Sequence, residues 1–288
     1  NGLGDILAVD TDGDRITDYV YAGDLSGNVW KFDLSATNSS QWDSAFKTGS
    51  NPAPLFVAKD VDGNRQAITA AMTSGRHPDG GIMIYFGTGK YFEQGDSVVS
   101  NSPQLQSFYG IRDNGSRISA RSDLQLQSII YEATPTLRGG TAEFPVRVVS
   151  NTPVNYSAKK GWVLDLKNPN ATNGAGERVT DQAILRNGRV IFNTLIPSAD
   201  PCNFGGTSHL MEIDTITGGR LVNTVLNING DGLINDDDMV NINGDFFPPS
   251  GKKFDQLITR PGIIGAGEKE YKYTSGSRGS IGLTLERG

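Results

Sequence analysis

The sequence predicts an all-β protein, a modified β-propeller carrying EF-hand-like calcium loops, on three observations. Short apolar runs of period 2, bounded by Gly, Asn, Asp and Pro, dominate the chain, and no segment longer than a turn or two has 3.6-residue periodicity. Of the 288 residues, 36 are Gly and 13 are Pro, a usage that signals many turns. Several apolar or aromatic strands also close on an Asp that opens a turn, in "WKFDLS", "YGIRDNG", "GWVLDLKN" and "LMEIDTITGG". Those aspartates stand at 33, 113, 165 and 214, with gaps of 80, 52 and 49 residues. Units of about 40–50 residues with several strands each are how propeller blades read, and the first gap is two units long. Four to five blades' worth of chain is therefore expected here, with further sequence completing the ring; a β-sandwich with long insertions is the alternative.

The elements follow in order. Tyr19 to Gly23 and Val29 to Leu34 form a hairpin around "DLSGN". Gly81 to Thr88 with "KYF" forms a second, and Ser107 to Ser119, carrying Asn114-Gly115, a third. Gly161 to Leu166, Arg189 to Ile196 and His209 to Asp214 are further strands. The chain, 1–288, divides into a first loop and hairpin (1–35), a loop insertion (223–250) and closing strands (251–288), the last reading "QLITRPGII", "KEYKYTS" and "GSIGLTLE".

Two runs carry chemistry. In "DTDGDRITD", Asp10, Asp12, Asp14 and Asp18 take positions 1, 3, 5 and 9, with the Ile16 carbonyl at 7. Four carboxylates so close repel one another unless a cation relieves them. Calcium, which takes six to eight oxygens at about 2.3–2.6 Å, suits a tightly curled loop that presents alternate side chains inward. An EF-hand has Gly at position 6 and an acid at 12; this loop has Arg15 and Tyr21, so it is a shortened relative. "NINGDGLINDDD" keeps the longer grammar: Asn227, Asn229, Asp231, the Leu233 carbonyl, Asn235 and Asp238 at 1, 3, 5, 7, 9 and 12, with Gly232 at 6. Amides in place of two of the acids, at positions 1 and 3, and a short position-12 acid predict looser binding than in the first loop. One calcium ion is expected in each. "DVDGNRQ" at 60–66 lacks an acid at position 9 or 12 and reads as a hairpin turn, and the second "NINGD", at 241–245, runs into Phe246, Phe247, Pro248 and Pro249.

The formal charge of −6 argues against nucleic acid, and no run of 18 apolar residues exists to span a membrane. The chain begins at Asn1 with no initiator Met or signal peptide, as a piece of a longer protein would. Cys202, the one cysteine, has no internal partner. Loops of modest affinity suit an extracellular setting. Enzyme motifs fail: "GTGKY" has Tyr91 where a P-loop needs Ser or Thr, no GxSxG occurs, and His77 and His209 stand apart from metal-ligand spacings. No catalytic residue or organic cofactor site is assigned.

"DTDGDRITDYVYAGDLSGNVWKFDL" closely resembles a characteristic block of the PilY/PilC family, the type IV pilus biogenesis factors and tip adhesins of Gram-negative bacteria. "ITAAMTSGRHPDGGIMIYFGTGKYFE", "IPSADPCNFGGTSHLMEIDTITGGRL", "NINGDGLINDDD" and "YTSGSRGSIGLTLERG" extend that resemblance along the chain. It implies the C-terminal propeller part of a secreted, non-enzymatic protein of the pilus tip or outer membrane. Such a protein acts with minor pilins in assembly, contacts host receptors or surfaces, serves twitching motility and virulence, and uses calcium to bias extension against retraction. Carried over, the ligands are Asp10, Asp12, Asp14, the Ile16 carbonyl and Asp18. A calcium-containing quinoprotein-type propeller dehydrogenase is the alternative, although Cys202 alone lacks the adjacent cysteine pair those enzymes use. A dockerin-like ligand is disfavoured by the broken second repeat.

Overall fold

A computed structural model describes residues 2–288; Asn1, on which the sequence opens, lies outside the described residues. Strands joined by turns make up the molecule, and five short 3-10 segments are its only helical elements among those residues. Among the described residues no helix is long and apolar enough to cross a membrane.

Period-2 patterning becomes four antiparallel meanders of blade size. The first runs Leu3–Val9, Tyr19–Asp24, Asn28–Asp33 and Asp43–Ser44 in spatial order, with loop 10–18 joining its first two strands. The second is Thr73–Arg76, Ile82–Gly87, Ser107–Asp113 and Gly161–Asp165. In the third, Ile184–Arg186, Arg189–Pro197 and Gly206–Asp214 are completed by Gly251–Phe254. A fourth has three strands, Gly262–Ala266, Lys269–Ser275 and Ile281–Arg287.

Two further strands stitch the second meander to the third. Gln125–Ala133 lies parallel to Gly161–Asp165 and antiparallel to Val146–Val149, which in turn pairs with Gly251–Phe254. The result is one continuous sheet of ten strands. Two expected hairpins differ. Lys90–Phe92 forms no strand, because Lys90 pairs with Glu93 and Asp96 in a turn, and Ile82–Gly87 takes Thr73–Arg76 and Ser107–Asp113 as neighbours instead. Asn114-Gly115 does turn the chain, but the return leaves the sheet: the Ile118 N–H donates to the Leu55 carbonyl.

Two large apolar cores form, one around Tyr21, Phe56, Phe86 and Tyr109 and one around Trp162, which stacks near Phe108, itself parallel to Phe192 at 3.9 Å. Two glycines make room for the indole. A Cβ on Gly110 would come within 2.4 Å of its ring and one on Gly218 within 2.1 Å, while Trp162 Nε1–H donates to the Thr215 carbonyl at 3.0 Å.

Polar interiors join the sheets elsewhere. Arg147 is buried in a bidentate pair with Glu177 at 2.6 and 2.7 Å and reaches Glu132 at 2.7 Å; His209 stands 3.5 Å from Glu177 and 3.6 Å from Glu132. A second box sits between the third and fourth meanders: Lys272 contacts Glu212 and Glu286, while Arg189 lies 3.2 Å from Glu212 and 3.3 Å from Glu270. Burial of such charges is tolerable only because each faces its opposite.

Two outcomes follow from this packing. Gly110→Ala should lower stability by about 1–3 kcal/mol through overpacking against Trp162, read as a lower urea midpoint at unchanged slope. Burial first, then the Arg147 guanidinium, holds the His209 imidazole below its ordinary 6.5, against the pull of Glu177 and Glu132. Below about pH 6.5 the unfolded chain therefore takes a proton that folded His209 refuses, so stability falls on acidification by at most about 1.4 kcal/mol per pH unit. Urea midpoints at about pH 7.5 and about pH 5.5 should differ less in His209→Gln than in wild type.

Candidate metal centres

Loop 10–18 leaves the first strand at Val9 and re-enters the sheet at Tyr19, and the Asp18 N–H donates to the Val9 carbonyl at 3.0 Å. Gly13 and Arg15 take positive φ, 88° and 73°, which curls the loop tightly. Curling points backbone N–H groups at the acids. Asp10 accepts from Gly13 at 2.6 Å and Arg15 at 2.8 Å, Asp12 from Asp14 at 3.1 Å, and Asp14 from Ile16 at 2.7 Å. Asp18 closes the loop by accepting the Thr11 N–H at 2.7 Å and its hydroxyl. These bonds, the Gly13 one foremost, hold the Asp10 carboxyl below its ordinary value.

Asp10, Asp12 and Asp18 each place a carboxylate oxygen so that all three lie within 4.8 Å of one another. Oxygens on opposite sides of a calcium ion at 2.3–2.6 Å are about 4.6–5.2 Å apart, so this triangle has the size and hard-oxygen character of a calcium site. Asp14 stands outside the triangle, and Ile16 is exposed at the loop's outer turn.

Loop 227–238 repeats the wiring. Position 1 accepts from position 4 (Asn227 from Gly230, 2.8 Å), position 3 from 5 (Asn229 from Asp231, 3.0 Å) and position 5 from 7 (Asp231 from Leu233, 2.7 Å). The closing acid, Asp238, accepts the position-2 N–H of Ile228 at 2.8 Å, as Asp18 does that of Thr11. Three extra positions relative to the first loop let it end in a 3-10 turn, Asp236–Asp238, whose last residue is the closing acid and which Asn235 caps by accepting the Asp237 N–H at 2.7 Å. Asp238 is fully buried, and its two oxygens also take the N–H groups of Asn229 and Asn235 at 3.2 Å. Burial pushes its carboxyl above the ordinary value despite these donors. Its primary task is to close the loop. Asn227 and Asn229 are half-buried and Asp231 is exposed, with Leu233 exposed and Ile234 half-buried.

Contacts from afar fix both loops, and their sequences held no sign of it. Arg76 donates to the Thr11 carbonyl at 2.8 Å, and Lys269 to the Gly232 carbonyl at 2.8 Å. Leu226 bridges to Glu286, so the second loop hangs from the last strand. The two near-miss runs are turns. Asp60 accepts from Asp62 and Asn64 while Lys59 bridges Arg65, and Asn243-Gly244, both at positive φ, joins Val240–Ile242 to Asp245–Phe247. Cys202 is exposed.

Comparison with known proteins gives the chain a family context. Residues 1–128 match the model of the PilY1 beta-propeller domain. A type IV pilus biogenesis factor PilY1 homolog of Xylella fastidiosa is 40% identical over 228 residues, 78% of this chain and 15% of its own length. Type IV pilus biogenesis factor PilY1 of Pseudomonas aeruginosa PAO1 is 35% identical over 263 residues, 81% of this chain and 22% of its own. The crystal structure of the P. aeruginosa PilY1 C-terminal domain superposes with a TM-score of 0.82 at 28% identity, covering 99% of this chain and 60% of that one. The chain thus spans about a fifth of the length of these curated relatives.

Asp238→Ala, which orphans the buried N–H of Ile228 and removes the acceptor of the Asn229 and Asn235 N–H groups, should cost stability even in chelator, by about 1–3 kcal/mol. Asp12→Ala, whose carboxylate is exposed and accepts one N–H, should cost far less under the same conditions in a urea titration.

Proposed function

Because the chain belongs to the PilY1 family and matches its C-terminal part, we propose that it is the calcium-responsive, non-enzymatic portion of a type IV pilus biogenesis factor. The observation that carries the calcium reading is the triangle of Asp10, Asp12 and Asp18 oxygens within 4.8 Å. A bound calcium ion would supply positive charge to that triangle and bind its oxygens to one another. Asp10, Asp12 and Asp18 would hold it, with Asp14 and the Ile16 carbonyl supplying further oxygens as the loop tightens. In the second loop Asn227, Asn229, Asp231, the Leu233 carbonyl and Asn235 would serve, around a frame that Asp238 closes.

This chain's own residues convert occupancy into stiffness. Asp10 follows the first strand of the first meander and Asp18 precedes its second, so drawing the two together clamps that pair at its open end. Thr11, held by Arg76, links the clamp to Thr73–Arg76 of the second meander. Binding to the folded state alone adds RT ln(1 + [L]/Kd), about 2.7 kcal/mol at a hundredfold excess over Kd. A surface edge stiffened by that amount can grip a pilin partner when calcium is present and release it when calcium is removed. Such a device fits a protein at the pilus tip that works with minor pilins, biases extension against retraction, and supports surface adhesion and twitching motility. Both histidines are buried in structural settings, and no reaction on a substrate is assigned to the chain.

Calorimetric titration of chelator-stripped protein with calcium should give two binding events, the tighter removed by Asp12→Ala and the weaker by Asp231→Ala. Heats absent from wild type would make both loops plain turns and end the calcium reading.

A further inference from the structure

Lys272 is a buried primary amine that neither loop uses. It is 0% exposed, as are the two acids it touches, Glu212 on Gly206–Asp214 and Glu286 on Ile281–Arg287. Strand register explains the meeting. Lys272 lies opposite Thr284 and Glu270 opposite Glu286, so Lys272 and Glu286 are diagonal neighbours on one face of paired strands, within reach of long side chains. Glu212 closes on them from the third meander.

The two acids are held differently. Glu212 accepts hydrogen bonds from Lys272 and, at 3.2 Å, from Arg189. Among the described residues neither oxygen of Glu286 accepts one, and the buried Thr284 hydroxyl two positions earlier is also without a partner. Glu286 meets Lys272 in direct contact and the Arg189 guanidinium at 3.8 Å, neither as a hydrogen bond. A fully buried carboxylate held only in this way is costly and calls for a reason.

Its neighbour supplies one. Burial, foremost, brings the Lys272 ammonium down to about 8 against the pull of Glu212. Moving its proton to Glu286 turns two buried ions into a neutral amine and a neutral carboxylic acid, which relieves the desolvation of both and leaves the pair of groups that condenses to an amide. Reactants already fixed in contact need no encounter.

We propose that Lys272 and Glu286 become joined by an intramolecular amide bond. Lys272 Nζ attacks the Glu286 carboxyl carbon and forms the N–C bond. Glu212, in contact with Nζ, takes the proton that the nitrogen sheds and passes it to the departing hydroxyl; the C–O bond breaks and one water leaves. Arg189 faces the carboxyl group on which charge develops. Nothing is oxidised or reduced, and each chain reacts once. The product leaves Arg189 facing Glu212 at 3.2 Å and Arg186 facing Glu270, two matched pairs. Shear between Lys269–Ser275 and Ile281–Arg287 then works against a covalent bond. The proposal stands independently of calcium.

Digestion of the denatured full-length protein with a protease that cleaves after lysine tests it by mass spectrometry. Lysines at 269 and 272 bracket a three-residue piece, and no lysine follows within the chain. Wild type should resist cleavage after Lys272 and give a fragment that begins at Glu270 and is lighter than its sequence by the mass of one water. Glu212→Ala should restore cleavage and release residues 270–272. Release of that piece from wild type, a fragment at full sequence mass, or Lys272 found attached to the fragment that carries Glu212 would each overturn the bond. A Glu212→Ala protein that stays linked would overturn the role of Glu212, and the wild-type result needs no variant to fold.

Discussion

An aspartate carboxylate that accepts the backbone N–H groups of the turn it opens is the interaction on which the rest of this molecule depends. A chain without α-helices reverses direction many times, and every reversal strips N–H groups of ladder partners that must be replaced. Asp24 takes the N–H groups of Ser26 and Asn28, Asp60 those of Asp62 and Asn64, and Asp214 those of Ile216 and Thr217. Loops 10–18 and 227–238 are enlargements of that device. In loop 10–18 the aspartates that accept the turn's N–H groups include Asp10, Asp12 and Asp18, whose carboxylate oxygens lie within 4.8 Å of one another.

A strand-ending aspartate also ties one sheet to another. Asp113 caps Gly115 at the end of its strand, and also receives the Tyr21 hydroxyl at 2.6 Å and the Lys31 ammonium at 2.7 Å from the first meander. Asp165 works within one sheet, taking the hydroxyl of Ser107, its partner on the neighbouring strand, at 2.7 Å and the Arg121 guanidinium at 2.6 Å. Charge buried this way adds little net stability, because desolvation offsets most of the attraction, but a mispaired arrangement would leave an uncompensated ion. Register between the sheets is therefore set by charge where their apolar surfaces would allow sliding.

Strand positions were legible because period 2 and turn residues act over a few positions: Tyr19–Asp24, Asn28–Asp33, Arg189–Pro197 and Lys269–Ser275 all stand where the pattern puts them. Partners were not legible. Nothing local tells Gln125–Ala133 to run parallel to Gly161–Asp165, or Gly251–Phe254 to enter between Val146–Val149 and Gly206–Asp214. Regular spacing of strand-ending aspartates reported the blades and hid the stitch between them. In the loops, the grammar identified the acids, but only the fold separates the triangle of Asp10, Asp12 and Asp18 from Asp14, or turns Asp238 inward to close its loop. Arg76 and Lys269, which brace the loops from 65 and 37 residues away, could not be found from the motifs.

The insertion of Gly251–Phe254 between two earlier strands bears on how the chain is made. A polypeptide that emerges from its N-terminus exposes Val146–Val149 and Gly206–Asp214 as open edges until Gly251–Phe254 is available. Open apolar edges recruit other chains, and pairing over such separations is slow. Folding of this sheet is therefore a late, all-at-once closure rather than a blade-by-blade accumulation. Any truncation before Phe254 leaves a molecule poised to aggregate rather than a smaller version of the same fold.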